Sequence, residues 1–229
     1  MDILGEALQD YFSKGTNDTL WVKNSYGEDE EMPVEIFFRD ENEMPELELE
    51  AMDLCRGHVL DIGAGAGSHA LALQQRNLRV TAIDISPNAV AIMKQRGVKD
   101  ALEMDIFDLQ LSQTYDTLLF MMNGIGITGS LPGLTAFLEK AKSYLAPGGQ
   151  LLFDSSDVSY LYQETAAPLH VYFGEVAFAY QYKGKIGKWF NWIYIDPETL
   201  QDVAEKGGWH CQIIMTDENE QYLAQLTIK

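Results

Sequence analysis

The chain has 229 residues, 46% of them hydrophobic and 22% charged, a balance that suits a globular fold with a sizeable core. Its formal net charge is −19, and 16 of its 35 acids fall in residues 1–53 against only Lys14, Lys23 and Arg39. Binders of nucleic acid and of anionic membrane neutralise phosphate with Lys and Arg, so such a chain makes a poor partner for either. No apolar run approaches the ~20 residues of a membrane span, and the acidic opening stretch does not read as a secretory signal. Cys55 and Cys211 form neither a disulfide framework nor a metal ligand set. The expectation is a cytoplasmic protein without a metal, monomeric or homodimeric.

In chain order, residues 2–13 predict a helix with Ile3, Leu4, Ala7, Leu8, Tyr11 and Phe12 on one face. A polar, turn-rich stretch runs on to Met32, and Pro45 opens a second helix. From residue 58 short apolar runs alternate with helical stretches: strand 58–62, helix 68–76, strand 79–84, helix 87–97, strand 100–105, strand 115–122, helix 131–145 and strand 150–156. Ser86 caps the second of these helices with Pro87 behind it, and Pro147-Gly148-Gly149 stops the third. Strands alternating with helices imply a parallel sheet covered on both faces. After Asp154 the alternation breaks. Residues 176–182 and 189–195 flank a Lys/Gly-rich segment as a hairpin, residues 197–208 form a helix, and two strands close the chain across a polar turn at 216–220.

The segment Val59-Leu60-Asp61-Ile62-Gly63-Ala64-Gly65-Ala66-Gly67-Ser68 lies after a strand and before a helix, the setting of a nucleotide loop. In the dinucleotide fingerprint G-x-G-x-x-G/A the third small position, counted from Gly63, would be Ser68; here the third glycine comes one residue early, at Gly67. The D-x-G-x-G-x-G spacing instead resembles the first motif of class I S-adenosylmethionine-dependent methyltransferases. Asp84 ends the second strand of the alternation, where a carboxylate can accept from a ribose diol, and Ile85 follows it. Asp105 ends the third, followed by Ile106, and Asn123-Gly124 follows the fourth after Met122. The turn at 145–153 also resembles the family's, so the likeness covers about residues 57–155.

That resemblance implies a doubly wound α/β fold whose seven strands, counted in chain order, stand 3-2-1-4-5-7-6 with the last antiparallel. It implies S-adenosylmethionine as cofactor, held by Asp61, Gly63, Ala64, Gly65 and Gly67, by Asp84 and Ile85, by Asp105 and Ile106, and by Met122 and Asn123. Arg39, the only arginine of residues 1–53, is expected to pair with the cofactor carboxylate. The Asn-Gly-Ile-Gly run departs from the pattern of nucleic-acid amino methyltransferases and argues against base methylation.

By this reading residues 1–56 form an acidic arm and lid, and residues 57–229 the methyltransferase domain, with a hairpin insertion at about 156–195. Residues 160–195 hold 11 of the chain's 25 aromatics, enough to wall a small-molecule pocket or a dimer face. No catalytic base stands out; His170, Asp154 and Tyr160 are the candidates. Methyl transfer to a small molecule is the leading expectation. A cofactor-binding partner protein without turnover and an NAD-dependent oxidoreductase are the alternatives.

Overall fold

The computed structural model describes residues 1–15, 18–108, 113–162 and 171–229. Its regular elements are α1 (Ile3–Lys14), β1 (Leu20–Asn24), β2 (Glu30–Met32), α2 (Glu46–Leu54), β3 (His58–Ile62), α3 (Ser68–Gln75), β4 (Arg79–Asp84), α4 (Pro87–Arg96), β5 (Ala101–Glu103), β6 (Tyr115–Phe120), α5 (Leu131–Ala141), β7 (Leu145–Ser156), β8 (Glu175–Tyr182), β9 (Lys185–Ile186), β10 (Phe190–Ile193), α6 (Pro197–Lys206), β11 (Trp209–Thr216) and β12 (Gln221–Ile228). A seven-stranded sheet has the order β5-β4-β3-β6-β7-β12-β11, which is 3-2-1-4-5-7-6 in chain order of its strands, and β12 runs antiparallel to β7. None of the described helices is long and apolar enough to cross a membrane.

Local chemistry sets most boundaries. Ser86 accepts the Ala89 N–H at 3.0 Å, Pro87 fills the first helical position, and Gly97 closes α4 in the left-handed conformation. Asp196 caps α6 in the same way, again with a proline behind it. Three boundaries differ from the sequence reading. Part of the polar stretch before Met32 is extended: β1 pairs with β8 and with β2 in a second sheet, order β10-β8-β1-β2 with β9 on β8. Helix α5 ends at Ala141 in a 3-10 turn, well short of Pro147, and β7 takes over from Leu145. The hairpin turn is tight: Tyr182 faces Lys185 across Lys183 and Gly184, both left-handed as a two-residue turn requires.

The chain forms two compact units. The first comprises Met1–Pro45, Leu60–Leu109 and Ala177–Phe190. Its core joins Ile3, Ala7 and Leu8 of α1 to Leu20, Val34, Ala66, Ala89, Ile92 and Tyr182. Asp2 caps α1 through the Gly5 N–H and also accepts from Ser86 Oγ at 2.6 Å and Asn88 Nδ2 at 3.1 Å, which fixes α1 against the start of α4. The second comprises Glu46–Val59, Gln110–Val176 and Asn191–Lys229. Phe120 packs edge-on to Phe137 in its core, and buried Gln150 donates to Leu54 O at 2.6 Å. Buried Tyr222 donates to Ile195 O at 2.6 Å.

Candidate functional site

Gly63, Gly65 and Gly67 sit at φ of +72°, +55° and +84°, a region that L side chains rarely adopt. The loop they make turns tightly off the carboxyl end of β3. Gly63 N and Ala64 N both donate to Ile83 O, at 2.9 and 3.1 Å, and Gly67 N donates to Ala64 O at 2.8 Å. Gly65 N donates to Asp84 Oδ2 at 2.9 Å. All four of these backbone donors are therefore engaged inside the protein. A pyrophosphate asks a loop of this kind for open N–H groups; the exposed backbone this loop offers is the bare Cα of Gly63.

The three glycines have different reasons. A Cβ on Gly63 would meet open space, whereas one on Gly65 would come 3.3 Å from Phe37 Cδ1. One on Gly67 would lie 2.9 Å from Met93 and Val98, so that glycine lets α4 pack closely.

Asp84 holds one backbone N–H on each oxygen, Gly65 N on Oδ2 and Ser86 N on Oδ1 at 2.8 Å. Burial raises its carboxyl above the ordinary range, against the lowering effect of those two donors. Each oxygen keeps a second lone pair for a further donor. Ile85 next to it is 71% exposed. Burial and the Asp84 charge together push the Tyr180 phenol up to about 12. Asp61, on β3, is buried, and its Oδ2 has no hydrogen-bond partner. Burial pushes this carboxyl to about 6, although His69 and the Ala70 N–H draw it down.

Asp105 is exposed and turns one oxygen onto the Phe107 N–H at 2.9 Å. Ile106 is buried in the core; the apolar face this turn exposes is Phe107, at 41%. Arg39 is half-buried and lines a cavity of about 80 Å³ with Ser68, Leu71 and Arg96, a space far smaller than a nucleoside.

In the second unit, the turn after β6 places Met122 and Asn123 at φ of +62° and +55°. Consecutive left-handed residues that are not glycine are uncommon, and such strain persists where the surroundings hold it. Asp154 does so here: its Oδ2 accepts from Asn123 N at 2.9 Å and from Gln221 Nε2 at 2.6 Å. Asn123 Oδ1 accepts from Ser156 Oγ at 3.0 Å. Asp154 is fully buried, its Oδ1 has no hydrogen-bond partner among the described residues, and burial pushes the carboxyl to about 6. Gly126 of the same turn leaves room for the Trp192 indole; a Cβ there would fall 2.0 Å from Nε1. Tyr160 is 55% exposed, and His170 lies outside the described residues.

Sequence reasoning offered Phe37 only as one of the arm's aromatics and missed Arg96, which meets it at the glycine loop from 59 residues away in the chain. The one available signal was the bulk of Phe37 and Phe38 beside Arg39.

Comparison with known proteins gives a consistent result. A family profile described as "Methyltransferase domain" matches residues 59–149. The crystal structure of a SAM-dependent methyltransferase from Bacteroides fragilis, in complex with S-adenosyl-L-homocysteine, is similar over 99% of this chain and 94% of that one, with 42% identity and a TM-score of 0.92. The cobalt-precorrin-6B C(15)-methyltransferase (decarboxylating) of Salmonella typhimurium is 32% identical over 130 residues, 53% of this chain and 67% of that protein. The ubiquinone biosynthesis O-methyltransferase of Xanthomonas oryzae pv. oryzae is 28% identical over 111 residues, 45% of each chain.

Proposed function

From the premise that the chain belongs to the class I S-adenosylmethionine-dependent methyltransferases, we propose that it moves the cofactor's methyl group to a small-molecule acceptor by in-line displacement, with S-adenosylhomocysteine as product. The cofactor of this family is S-adenosylmethionine. The observation that carries the reading is the glycine loop with its backbone donors engaged internally beside a two-oxygen acceptor, Asp84. Asp84 suits a ribose diol, and the third glycine falls one residue early for the dinucleotide fingerprint, which disfavours the NAD alternative.

The residues fit the cofactor's chemistry. Asp84 is a desolvated carboxylate with a lone pair left on each oxygen, ready for two hydroxyl donors. Asp61 keeps a buried oxygen without a donor, an acceptor that a cationic ligand suits. Exposed Ile85 offers an apolar face to the adenine, and Asp105 the oxygen not held by Phe107. Arg39 remains the partner proposed for the cofactor carboxylate, and Gly63 and Ala64 the surface under it, with Gly65 and Gly67 shaping the loop from within. Ile106, Met122 and Asn123 are carried as cofactor residues on the family resemblance alone. When bound, the cofactor supplies a methyl carbon already activated by its sulfonium. The protein's share is then to orient and to exclude water, and ordered approach can supply about 7–11 kcal/mol.

Two relatives, one named for a cobalt-precorrin carbon and one for O-methylation in ubiquinone biosynthesis, support a small-molecule acceptor. The net charge supports the same reading by disfavouring nucleic acid. His170, Tyr160 and Asp154 stay level as candidate bases: burial holds the Asp154 carboxyl at about 6, and Tyr160 is the exposed side chain of the two described. A monomer or homodimer in the cytoplasm remains the proposal for its state and place.

Calorimetry with S-adenosylhomocysteine and with NAD tests the cofactor. Binding of the first and not the second is expected, and the reverse would sink the reading. Turnover of S-adenosylmethionine against a panel of small amines, phenols and carbon acids tests catalysis. Cofactor binding without turnover on any of them would favour the partner-protein alternative.

A further inference from the structure

We propose that Arg96 is a positioning residue for cofactor binding, because its guanidinium fastens the Val34–Phe38 turn across the glycine loop. Arg96 is the last residue of α4, and the bland role for a cation there is to balance the helix dipole. Its contacts describe a different task. Nη1 donates to Ala66 O at 2.7 Å, to Ser68 Oγ at 3.3 Å and to Phe37 O at 3.4 Å, and Nη2 donates to Phe38 O at 3.2 Å. The guanidinium carbon also lies 5.1 Å from the centroid of the Phe38 ring. Every one of these oxygens is neutral, in a chain with 35 acids to choose from. Half of them belong to the glycine loop and the start of α3, and half to the arm.

A fork of five fixed N–H donors can gather oxygens from two segments at once, which a lysine ammonium cannot do with the same geometry. Ser68 Oγ adds a direct bond between the same two segments, donating to Phe37 O at 2.8 Å. The consequence reaches the loop surface. With its carbonyl held, Phe37 keeps its ring 3.3 Å from the place where Gly65 would carry a Cβ. The arm is thereby packed against Gly65, whose missing Cβ leaves room for the Phe37 ring, and this fixes the shape of the loop on which the cofactor rests. Arg96 touches no cofactor in this account; it acts through Phe37 and the Ala66 peptide. The inference rests on the cofactor reading above, and its test separates the two.

The first arm of the test needs no ligand. Amide hydrogen exchange across residues 34–38 should quicken at least tenfold in Arg96→Gln relative to the unaltered protein, and equal rates overturn the clasp. The second arm is calorimetry with S-adenosylhomocysteine. Arg96→Gln and Arg96→Lys should each weaken binding about tenfold or more, whereas the lysine should rescue a role that is only dipole balance. Phe37→Ala should weaken binding too, and the Arg96→Gln, Phe37→Ala double variant should be no weaker than the worse single one by more than about twofold. Additive losses, or unaltered affinity in Arg96→Gln, overturn the proposal. If Arg96→Gln fails to fold, Arg96→Lys carries both arms alone. If the unaltered protein ignores S-adenosylhomocysteine, the cofactor reading falls, and the exchange rates still judge the clasp.

Discussion

The two units solve one problem with different residues. Each turns its chain sharply at the carboxyl end of a strand, and each keeps a buried aspartate nearby with one oxygen lacking a partner, Asp61 in the first and Asp154 in the second. In the first unit the turn is made by glycines at positive φ, so the backbone adopts it without side-chain strain and leaves bare surface. In the second it is made by Met122 and Asn123 at positive φ, and Asp154 holds the strained Asn123 N–H. Glycine serves where neighbouring side chains press on the main chain, Phe37 on Gly65 and Met93 on Gly67. Strained residues with side chains serve where the turn must also present functional groups.

The largest expected effect breaks the first half of this comparison. Gly65→Val puts a branched Cβ at φ +55° and 3.3 Å from Phe37. S-adenosylhomocysteine affinity should fall at least about a thousandfold, roughly 4 kcal/mol, while the urea midpoint moves much less. Retained affinity in calorimetry would show that the loop does not carry the ligand. Asp84→Ala should come next, weakening binding by about 1–3 kcal/mol through loss of a charge-assisted acceptor. It also frees the Gly65 and Ser86 N–H groups, so the loss in ligand affinity must exceed any loss in stability for the residue to count as a ligand.

Much of the first unit could be read in the sequence, because its signals are local. The glycine spacing, Ser86 with Pro87, and Gly97 each act within a few residues. The second sheet could not be read that way. Leu20–Asn24 is extended because it pairs with β8 more than 150 residues onward, and tertiary partners override weak strand propensity. Arg96, which bonds both arm and loop, was hidden because three of its four partners are backbone carbonyls that no residue-type pattern marks. In the second unit the glycine that sequence offers as the turn is Gly124, yet the left-handed positions are the two residues before it. Asp154 was visible as a strand-end acid; its missing partner was not.

The paired aspartates sharpen the comparison through pH. Both carboxyls are pushed to about 6 by burial, against ~3.9 in an unfolded chain. The folded state therefore holds more protons than the unfolded state between about pH 4 and pH 6. Stability should fall as pH rises through that window and then level off, by at most about 1.4 kcal/mol per pH unit for each group. Asp84, also raised by burial, adds a slope of the same sign, so the quantity to read is the slope lost in each variant. Lys14 and Lys183 hold Asp10 below the usual range, so its contribution is lost only as pH falls below about 4. Urea midpoints at pH 5 and pH 7.5 measure the slope. Asp154→Asn keeps an acceptor for Asn123 N and Gln221 Nε2 but has no proton to lose, so it should flatten the slope and gain stability at pH 7.5. If its charge serves the acceptor, turnover should fall in the same variant. A slope as steep as that of the unaltered protein in both Asp61→Asn and Asp154→Asn would remove these carboxyls from the explanation.

The smallest expected effect asks whether the second unit needs its strained turn at all. Asn123→Gly relieves a left-handed φ, a gain kept modest because asparagine tolerates that region better than other side chains. The same change loses the Ser156 Oγ bond to Asn123 Oδ1, worth about 1 kcal/mol, and adds about 0.4–1 kcal/mol of unfolded-chain entropy. The Asn123 N–H to Asp154 survives, since it belongs to the backbone. These contributions nearly cancel, so urea denaturation should show a loss within about 1 kcal/mol. A turn kept only for its shape would then leave turnover intact in the glycine variant. Lower turnover with unchanged stability and unchanged S-adenosylhomocysteine affinity would mean that the asparagine amide itself is what the second unit presents, and that the strain is accepted for that side chain.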